Sequence, residues 1–441
     1  MRRTVVAIAA LALCAAAFAE TRSVTVNLES LTGRPVPVSI DLLTLRDAIG
    51  AEFPMDWTSL RVTVGGEEVP YQIDDVDLNG RISAGDQLGF LATGPATIEI
   101  SDAPGDGANY EPALTVEGED PAVITSNLAE GFVVEVPAHG LARIVGYGDA
   151  QALLANEIGI LRFSGYPEST WWANEQYGPH EEYTNLEAGG MRHVGTTVLP
   201  AGPARVTVVA EYASDRFVGL RQRLVTHVWA TGEVEVDNQV TFAGYLDMMK
   251  LQSMATAVMT QADLDSLHLL PVFRRLIWAD QLGITPEGYF AERDAVTTVD
   301  GETYIAFPAS DSLSPLYWGA TYIFASSEPW RANYSPNLGV GVAELAYETP
   351  ELIEDYDEWL AGNTWVFESQ EFRTGVFKWT ADEFGTYEAT AGITPSTPNH
   401  YLPGDSARFH AAYSAFSAGS TEDAIRYARD RQAELASVAL E

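Results

Sequence analysis

The chain has 441 residues and a formal net charge of −37 at pH 7, with 62 acidic against 25 basic side chains. This charge balance argues against nucleic acid and anionic membrane surfaces as partners. Hydrophobic residues make up 46% of the sequence, which is enough for a large core, and the length predicts two or three domains of about 100–200 residues each.

The first residues have the pattern of an export signal. Two arginines precede an apolar run, and Ala17-Phe18-Ala19 fits the small-x-small rule of signal peptidase. We therefore expect residues 1–19 to be a secretory signal peptide and the protein to be secreted or periplasmic. A lipoprotein is less favoured, because the bulky Leu13 precedes Cys14. Cys14 is the single cysteine, so the exported chain forms no disulfide, and beyond this segment no apolar run is long enough to span a bilayer.

Residues 20–150 are expected to form a small N-terminal β-barrel or β-sandwich. Short runs rich in branched residues recur between Gly, Pro and Asp, as in SVTVNLESL, RPVPVSIDL, LRVTVGG, ATIEI and GFVVEVPA. One short helix is predicted from Leu42 to Ile49. This part of the chain therefore predicts an all-β domain with one helical insertion.

The stretch DVDLNGRISAGD, within YQIDDVDLNGRISAGDQLGF, has the spacing of an EF-hand-type calcium loop. Gly80 stands at the sixth position, where the chain turns sharply, and the loop resembles those of dockerins over these twelve residues. The flanks read as strands, and an acidic β-turn without an ion is the alternative. We expect Ca²⁺ as a structural cofactor. Its predicted ligands are Asp75, Asp77, Asn79, Arg81 through its carbonyl, Ser83 and Asp86.

Residues 151–441 are expected to form a large antiparallel β-sandwich of the supersandwich kind, so the predicted fold class is mostly β with a few helices. The run ATGEVEVDNQVTF alternates strictly, which predicts a sheet with one solvated face. Helices are predicted for ADLDSLHLLPVFRRLIWADQLG, for TPELIEDYDEWLAG and for the C-terminal STEDAIRYARDRQAELASVAL. In the last of these, Ser420 and Asp423 have capping-box spacing.

The segment 166–195, YPESTWWANEQYGPHEEYTNLEAGGMRHVG, concentrates aromatic and ionisable side chains. Aromatic faces beside carboxylates and imidazoles suit a sugar-binding cleft. The alternative is that the tryptophans fill a domain junction and the charges are solvated. The residues in question are Trp171, Trp172, Tyr177, His180, Glu181, Glu182, Tyr183, Arg192 and His193.

A nearby strand-like run, GLRQRLVTHVWATG, places Arg223 and His227 on one face. They are expected to line a sugar groove, with a charged outer face as the alternative. Near the C-terminus, TPNHYLPGDSARFH adds Arg408 and His410. Its Asn-His-Tyr run resembles the Asn-His-x-Tyr run of aldose epimerases only superficially, because the position and neighbours differ, and it is set aside.

The runs GRPVPVSIDL, LRVTVGGEEVPYQIDD, GDQLGFLA and RLVTHVWATGEVEVDNQVTF resemble a known layout. Similar runs occur in secreted bacterial carbohydrate-active proteins that join a small N-terminal β-domain to a galactose-mutarotase-like sandwich, including rhamnogalacturonan-lyase-like families. The resemblance covers roughly residues 1–245. It implies a polysaccharide or oligosaccharide partner and β-elimination as the chemistry, although whether the chain is an enzyme is left open.

In such an elimination, a neutral His or Tyr removes the proton α to a uronate carboxyl, and a cation stabilises the charge that develops. The resemblance implies His193 or His180 as base, Tyr183 as acid and Arg192 as the carboxylate partner. The sugar-binding residues expected from the aromatic segment and the strand-like run are Trp171, Trp172, Tyr177, Arg223 and His227.

Two other functions stay open at this point. Glycoside hydrolysis by the carboxylates of Glu175 and Glu182 tolerates a neutral substrate. A non-catalytic carbohydrate-binding or cell-surface protein explains the same residues without any reaction. An enzyme predicts that four histidines converge in one concave site, namely His180, His193, His227 and His410, whereas scattered histidines favour the binding protein. The sugar, the linkage and the oligomeric state are not specified by these patterns.

Overall fold

The structure is a computed structural model, and it describes residues 19–165, 191–215, 218–257, 266–271, 275–276, 295–308, 321–325, 330–346, 364–367, 378–384 and 399–441. Within these ranges the chain is mostly β, as predicted, and all paired strands run antiparallel. Neither of the two described helices combines the length and the apolar character that crossing a bilayer requires.

The first part of the chain forms eleven short strands and one helix. They are β1 Thr21–Asn27, β2 Val36–Asp41, α1 Leu42–Ile49, β3 Asp56–Val64, β4 Glu67–Glu68, β5 Tyr71–Asp74, β6 Gln87–Ala92, β7 Ala96–Ser101, β8 Leu114–Glu117, β9 Ala122–Ser126, β10 Val133–Val136 and β11 Ala142–Gly146. The helix has the predicted bounds, because Leu42, Leu45 and Ile49 recur at helical spacing and are all buried.

Longer strands follow, and a second helix lies near the C-terminus. They are β12 Ala155–Gly165, β13 Met191–Val198, β14 Arg205–Ser214, β15 Leu220–Trp229, β16 Glu233–Phe242, β17 Leu246–Ala257, β18 Leu267–Pro271, β19 Arg275–Leu276, β20 Val296–Val299, β21 Glu302–Pro308, β22 Thr321–Ala325, β23 Trp330–Ser335, β24 Val340–Ala346, β25 Thr364–Phe367, β26 Lys378–Phe384, β27 Asn399–Tyr401, β28 Ser406–Ser417, α2 Thr421–Ala436 and β29 Ala439–Leu440.

The described strands pair into two small and two large sheets. One small sheet has the order β29-β1-β7-β3-β4 and the other β2-β6-β5. One large sheet has the order β13-β14-β15-β16-β28-β24-β23-β18-β21-β20, and we call it the central sheet. The other runs β19-β22-β25-β26-β17-β12-β11-β10-β9-β8, with β27 also paired to β17. This last sheet crosses position 150 between β11 and β12, so it contains strands from both sides of the predicted domain boundary.

The two large sheets face each other at a glycine. Gly159 on β12 has a φ of 92°, and a Cβ there would lie 2.4 Å from Leu224 Cδ2 on the central sheet. The side-chain amide of Gln222 on β15 donates to the Gly159 carbonyl at 2.9 Å. Only glycine adopts this left-handed backbone easily and leaves room for Leu224. The close contact between the two sheets at this position is the face-to-face packing of a β-sandwich.

The C-terminal helix ties the chain ends together. Ser420 caps α2, since its Oγ accepts from the Asp423 N–H at 3.1 Å, as the capping-box spacing predicts. Beyond α2, β29 pairs with β1 of the N-terminal sheet. Inside, the fully buried Arg431 on α2 donates to Glu233 Oε1 on β16 at 2.8 Å. The helix therefore belongs to the same packed unit as the N-terminal sheets.

Two sequence predictions differ from the structure. Leu267–Pro271 lies within the predicted helix 262–283 but forms a strand paired to β21 and β23. Periodicity does not separate a short apolar strand from a helix. The alternating strand β16 is buried on both faces, with eight of its ten residues buried, rather than having one solvated face. The predicted helix at 349–362 lies outside the described residues.

Candidate functional site

Strand register gathers the polar residues of four strands of the central sheet onto one face. Thr207 on β14 lies opposite His227 on β15, which lies opposite Glu235 on β16. Residues directly opposite in an antiparallel pair project to the same side. We call this side the polar face. The polar face includes Arg205, Thr207, Arg223, His227, Trp229, Glu235, Asp237, Arg408 and His410.

The N-terminal hairpin of β5 and β6 covers one end of the polar face, which we call the closed end. Asp74 Oδ2 accepts from Arg205 Nε at 2.7 Å and from the Thr207 hydroxyl at 2.8 Å. Arg205 is fully buried and Asp74 is 5% exposed. Burial by itself raises the pKa of Asp74, but Arg205 and the other hydrogen-bond partners bring it below the ordinary range. The pair is therefore a buried ion pair.

The guanidinium of Arg205 has three further neighbours. Its Nη1 donates to the Ser39 hydroxyl at 2.8 Å, and its Cζ lies 4.7 Å from the centroid of the Trp229 ring. Gly89 on β6 lies directly above, since a Cβ there would be 2.7 Å from Arg205 Nε. Stacking on the Trp229 indole stabilises the positive charge of the guanidinium in addition to its hydrogen bonds.

His227 is a buried link at this end, and it does not line an open groove. One per cent of the residue is exposed, and its ring nitrogens lie 2.8 Å from the Thr207 hydroxyl and 2.6 Å from Gln87 Oε1. Burial, followed by the charge of Arg205, lowers the pKa of His227 to about 3. The imidazole is therefore neutral at physiological pH and joins the hairpin to the central sheet.

The other end of the polar face meets solvent, and we call it the open end. His410 Nε2 lies 2.8 Å from Glu235 Oε1, with the His410 side chain 28% exposed and that of Glu235 7% exposed. The indole N–H of Trp229 donates to Glu235 Oε2 at 2.7 Å. Burial raises the pKa of Glu235, but the hydrogen bond and charge of His410, with His227 and Arg205, lower it to about 2. Glu235 is an anion that orients His410.

Beside this pair, Arg408 binds Asp237 with two hydrogen bonds. Arg408 Nε and Nη2 lie 2.7 and 2.8 Å from the two carboxylate oxygens. The Arg408 side chain is 54% exposed and that of Asp237 is 3% exposed. Hydrogen bonding to Asp237 raises the pKa of Arg408. The open end therefore presents an imidazole and a guanidinium, each held from below by a buried carboxylate.

His193 and Arg192 lie apart from this site. His193 on β13 is opposite Tyr212 in register, which places it on the reverse side of the sheet from His227. Its ring nitrogens lie 3.0 Å from His139 Nδ1 and 2.8 Å from the Thr196 hydroxyl. Burial and the neighbouring His139 lower the pKa of His193.

Arg192 is exposed and its Nε lies 3.3 Å from Asp215 Oδ1. The remaining predicted residues of the aromatic segment lie outside the described residues. They are Trp171, Trp172, Glu175, Tyr177, His180, Glu181, Glu182 and Tyr183. Of the four histidines expected to converge, His410 contacts Glu235 and His227 lies opposite Glu235 in the strand register, whereas His193 lies on the other side of the sheet and His180 lies outside the described residues.

The predicted calcium loop connects β5 to β6, so strands flank it, as expected. Asp75 accepts from the backbone N–H groups of Asn79 and Gly80 at 3.0 and 2.7 Å. Asn79 Oδ1 accepts from the Arg81 N–H at 2.9 Å, and the Ser83 hydroxyl lies 2.9 Å from Asp77 Oδ2. Gly80 has a φ of 79°, which accounts for glycine at the sixth position.

Arg223 connects this loop to the polar face, because its Nη2 donates to the carbonyl of Val76. Its Nε also lies 3.8 Å from Glu211 Oε1. Arg223 therefore contacts the N-terminal hairpin, at a position where sequence patterns predicted a sugar groove.

Glu235, Asp237, Asp74 and Arg205 were not predicted from the sequence to belong to one site. A signal for two of them was present, because the acidic residues of β16 alternate with valine in a long strand. Acidic residues at every second position of a strand that is buried on both faces need cationic partners. No local signal pointed to Asp74 and Arg205, which are 131 positions apart.

Comparisons with known proteins identify no family for this chain. No family model matches it, and no curated protein matches it. A glycosyl hydrolase family 38 protein from Enterococcus faecalis is 8% identical over 95% of this chain and 47% of its own, with a TM-score of 0.47. This chain thus spans about half the length of that protein.

Two smaller proteins also resemble the structure. The galactose 1-epimerase from Lactobacillus acidophilus is 8% identical over 70% of this chain and 100% of its own, with a TM-score of 0.40. The GalM/aldose epimerase homologue from C. elegans is 8% identical over 70% of this chain and 100% of its own, with a TM-score of 0.35. At these scores and identities the matches assign no activity to this chain.

Proposed function

We propose that this chain is a secreted carbohydrate-active protein whose chemistry takes place at the open end of the polar face. The observation that carries the proposal is the partly exposed His410, whose Nε2 lies 2.8 Å from the buried Glu235, beside the exposed Arg408. A positioned imidazole next to a guanidinium suits proton transfer on a substrate that carries an anionic group. A uronate sugar offers that group and an acidic carbon next to it.

β-Elimination is the reaction that uses both residues. His410, whose Nε2 lies 2.8 Å from Glu235 Oε1, is the base in this proposal. The proton α to the uronate carboxyl moves to the imidazole of His410, the bond to the leaving glycosidic oxygen breaks, and that oxygen takes up a proton from water. A carbon–carbon double bond remains in the sugar. Arg408 pairs with the substrate carboxylate and stabilises the charge that develops on it.

Hydrolysis by the two carboxylates of this site is a weaker candidate. A glycosidase needs one carboxyl that stays protonated to act as an acid. Glu235 does not meet this requirement, because its pKa is lowered to about 2. Asp237 is 3% exposed and already binds Arg408 through both oxygens.

A non-catalytic sugar-binding protein is the second candidate function. The formal net charge of −37 favours it, because an acidic polysaccharide is repelled unless arginines create a local positive field. Arg408 is the exposed arginine of the open end, so it would then serve in binding alone. A sugar-binding protein retains polysaccharide without changing it.

The deciding experiment incubates the purified chain with a panel of acidic and neutral polysaccharides. Ultraviolet absorbance reports the unsaturated uronate product, and reducing-end release reports any cleavage. We expect absorbance to rise with an acidic substrate and His410→Gln to lower the rate by about 100-fold or more. Arg426→Gln is the matched control, because this exposed arginine on α2 pairs with Asp300 and Asp423.

Three other outcomes would change the proposed base or the proposed function. If His193→Gln abolishes the reaction and His410→Gln does not, the base lies on the opposite side of the central sheet. Reducing ends without ultraviolet absorbance would indicate hydrolysis. Retention on immobilised polysaccharide without any product, lost in Arg408→Gln, would indicate a binding protein.

A further inference from the structure

The loop between β5 and β6 brings three carboxylates to one point. Asp75, Asp77 and Asp86 each offer an oxygen, and these oxygens all lie within 4.8 Å of one another. Oxygen ligands of Ca²⁺ lie about 2.3–2.6 Å from the ion, so one ion can contact all three. Carboxylates this close repel each other unless a cation lies between them.

A second observation concerns Asp86 alone. The residue is 0% exposed, and its Oδ2 accepts from the Ser83 N–H at 2.6 Å. Its Oδ1 is buried and has no hydrogen-bond partner among the residues that the structure describes. A buried carboxylate oxygen without a donor is unfavourable. Because the Asp86 carboxylate belongs to the three-carboxylate cluster, a bound cation accounts for its position.

We propose that this loop is a divalent-cation site of the Ca²⁺ class. The three carboxylates supply the charge, and neutral oxygens complete a set that Ca²⁺ prefers over softer metals. The neutral donors are the Asn79 side-chain carbonyl, the Arg81 backbone carbonyl and the Ser83 hydroxyl. Ca²⁺ accepts six to eight oxygens in flexible geometry, whereas Mg²⁺ requires a regular octahedron.

The site has a structural consequence, because both ends of the loop contact the central sheet. Asp74, immediately before the loop, binds Arg205, and Gln87, immediately after it, contacts His227 at 2.6 Å. Within the loop, the Val76 carbonyl accepts from Arg223. An ion that fixes the loop therefore also fixes the hairpin that covers the closed end.

The test uses the full chain after treatment with a chelator, with Ca²⁺ alone as the probe. Calorimetric titration should give one saturable site, and the melting temperature should rise with Ca²⁺. Asp77→Asn should weaken binding by about tenfold or more, because it removes one charged ligand. The matched control is Asp47→Asn, an exposed carboxylate on α1 that pairs only with the adjacent Arg46 among the described contacts.

Hydrogen exchange provides an independent readout of the coupling. Ca²⁺ should slow amide exchange in residues 75–92 of the wild type and not in Asp77→Asn. Binding that Asp77→Asn leaves unchanged would belong to the acidic surface and would overturn the proposal. Absence of any saturable binding to the wild type would identify the loop as an acidic turn. No sugar enters these measurements, so they are independent of the carbohydrate assay.

Discussion

The closed and open ends of the polar face contain the same chemical pair in different surroundings. At the closed end, Asp74 and Arg205 are both buried beneath the N-terminal hairpin. At the open end, Asp237 is buried but the Arg408 side chain is 54% exposed. Burial removes both charges from water at one end and only one at the other. The first pair is therefore expected to hold the structure together, and the second to be available to a ligand.

The largest expected effect tests this contrast at the closed end. Arg205→Ala leaves Asp74 as an unpaired buried charge, which should lower the free energy of unfolding by about 3–5 kcal/mol. Denaturant unfolding of the wild type, both single variants and Asp74→Ala/Arg205→Ala gives the coupling energy. The same set of variants at Asp237 and Arg408 gives the coupling energy of the open end. If the coupling energy of Asp74 with Arg205 is no larger than this value, the proposed difference between the two ends is wrong.

The glycine above Arg205 provides a second test. Gly89→Ala places a methyl group 2.7 Å from Arg205 Nε, and the guanidinium is held by Asp74 and Ser39. Overpacking of this kind should cost about 1–3 kcal/mol. Gly94→Ala is the matched control, because its added Cβ meets nothing within 4 Å. Equal unfolding free energies for the two variants would show that the closed end is loosely packed.

The pH dependence of stability should report His227. The unfolded imidazole takes up a proton near pH 6.5, whereas in the folded chain its pKa is about 3. The stability it contributes is therefore complete above pH 6.5 and is lost as the pH falls towards 3. Between pH 7 and pH 5 this amounts to about 2 kcal/mol. Denaturant unfolding at several pH values should show the loss in the wild type and a flatter profile in His227→Gln. Parallel profiles would mean that His227 is not held neutral.

Local patterns predicted the elements better than the site. The spacing of Leu42, Leu45 and Ile49 defined α1, and Ser420 defined the start of α2, because both signals lie within a few residues. Leu267–Pro271 was misassigned, because a short apolar run fits either element.

The polar face depends on register between distant strands, which no local pattern contains. Glu235 meets His410 across 175 positions, and the two residues become partners only once β16 and β28 pair. The alternation within β16 indicated one common side for its acidic residues, but not that this side is buried. Glu233 is covered by Arg431 of α2, and Glu235 and Asp237 bind His410 and Arg408 of β28, so their burial depends on how distant elements pack in the whole fold.

The smallest expected effect on stability is at the open end, and it is paired with a large effect on function. Arg408→Ala should lower the free energy of unfolding by only about 1 kcal/mol, because loss of the exposed guanidinium opens Asp237 to water and Gln239 Nε2 still donates to Asp237 Oδ2 at 3.1 Å. Activity towards, or retention on, an acidic polysaccharide should nevertheless fall, and Arg408→Lys should restore only part of it because lysine lacks the two-pronged geometry. Unfolding curves and the polysaccharide assay on the same preparations separate the two effects. A variant that is strongly destabilised but keeps full activity would reverse the roles assigned to the two ends, since Arg408 would then be a structural residue like Arg205.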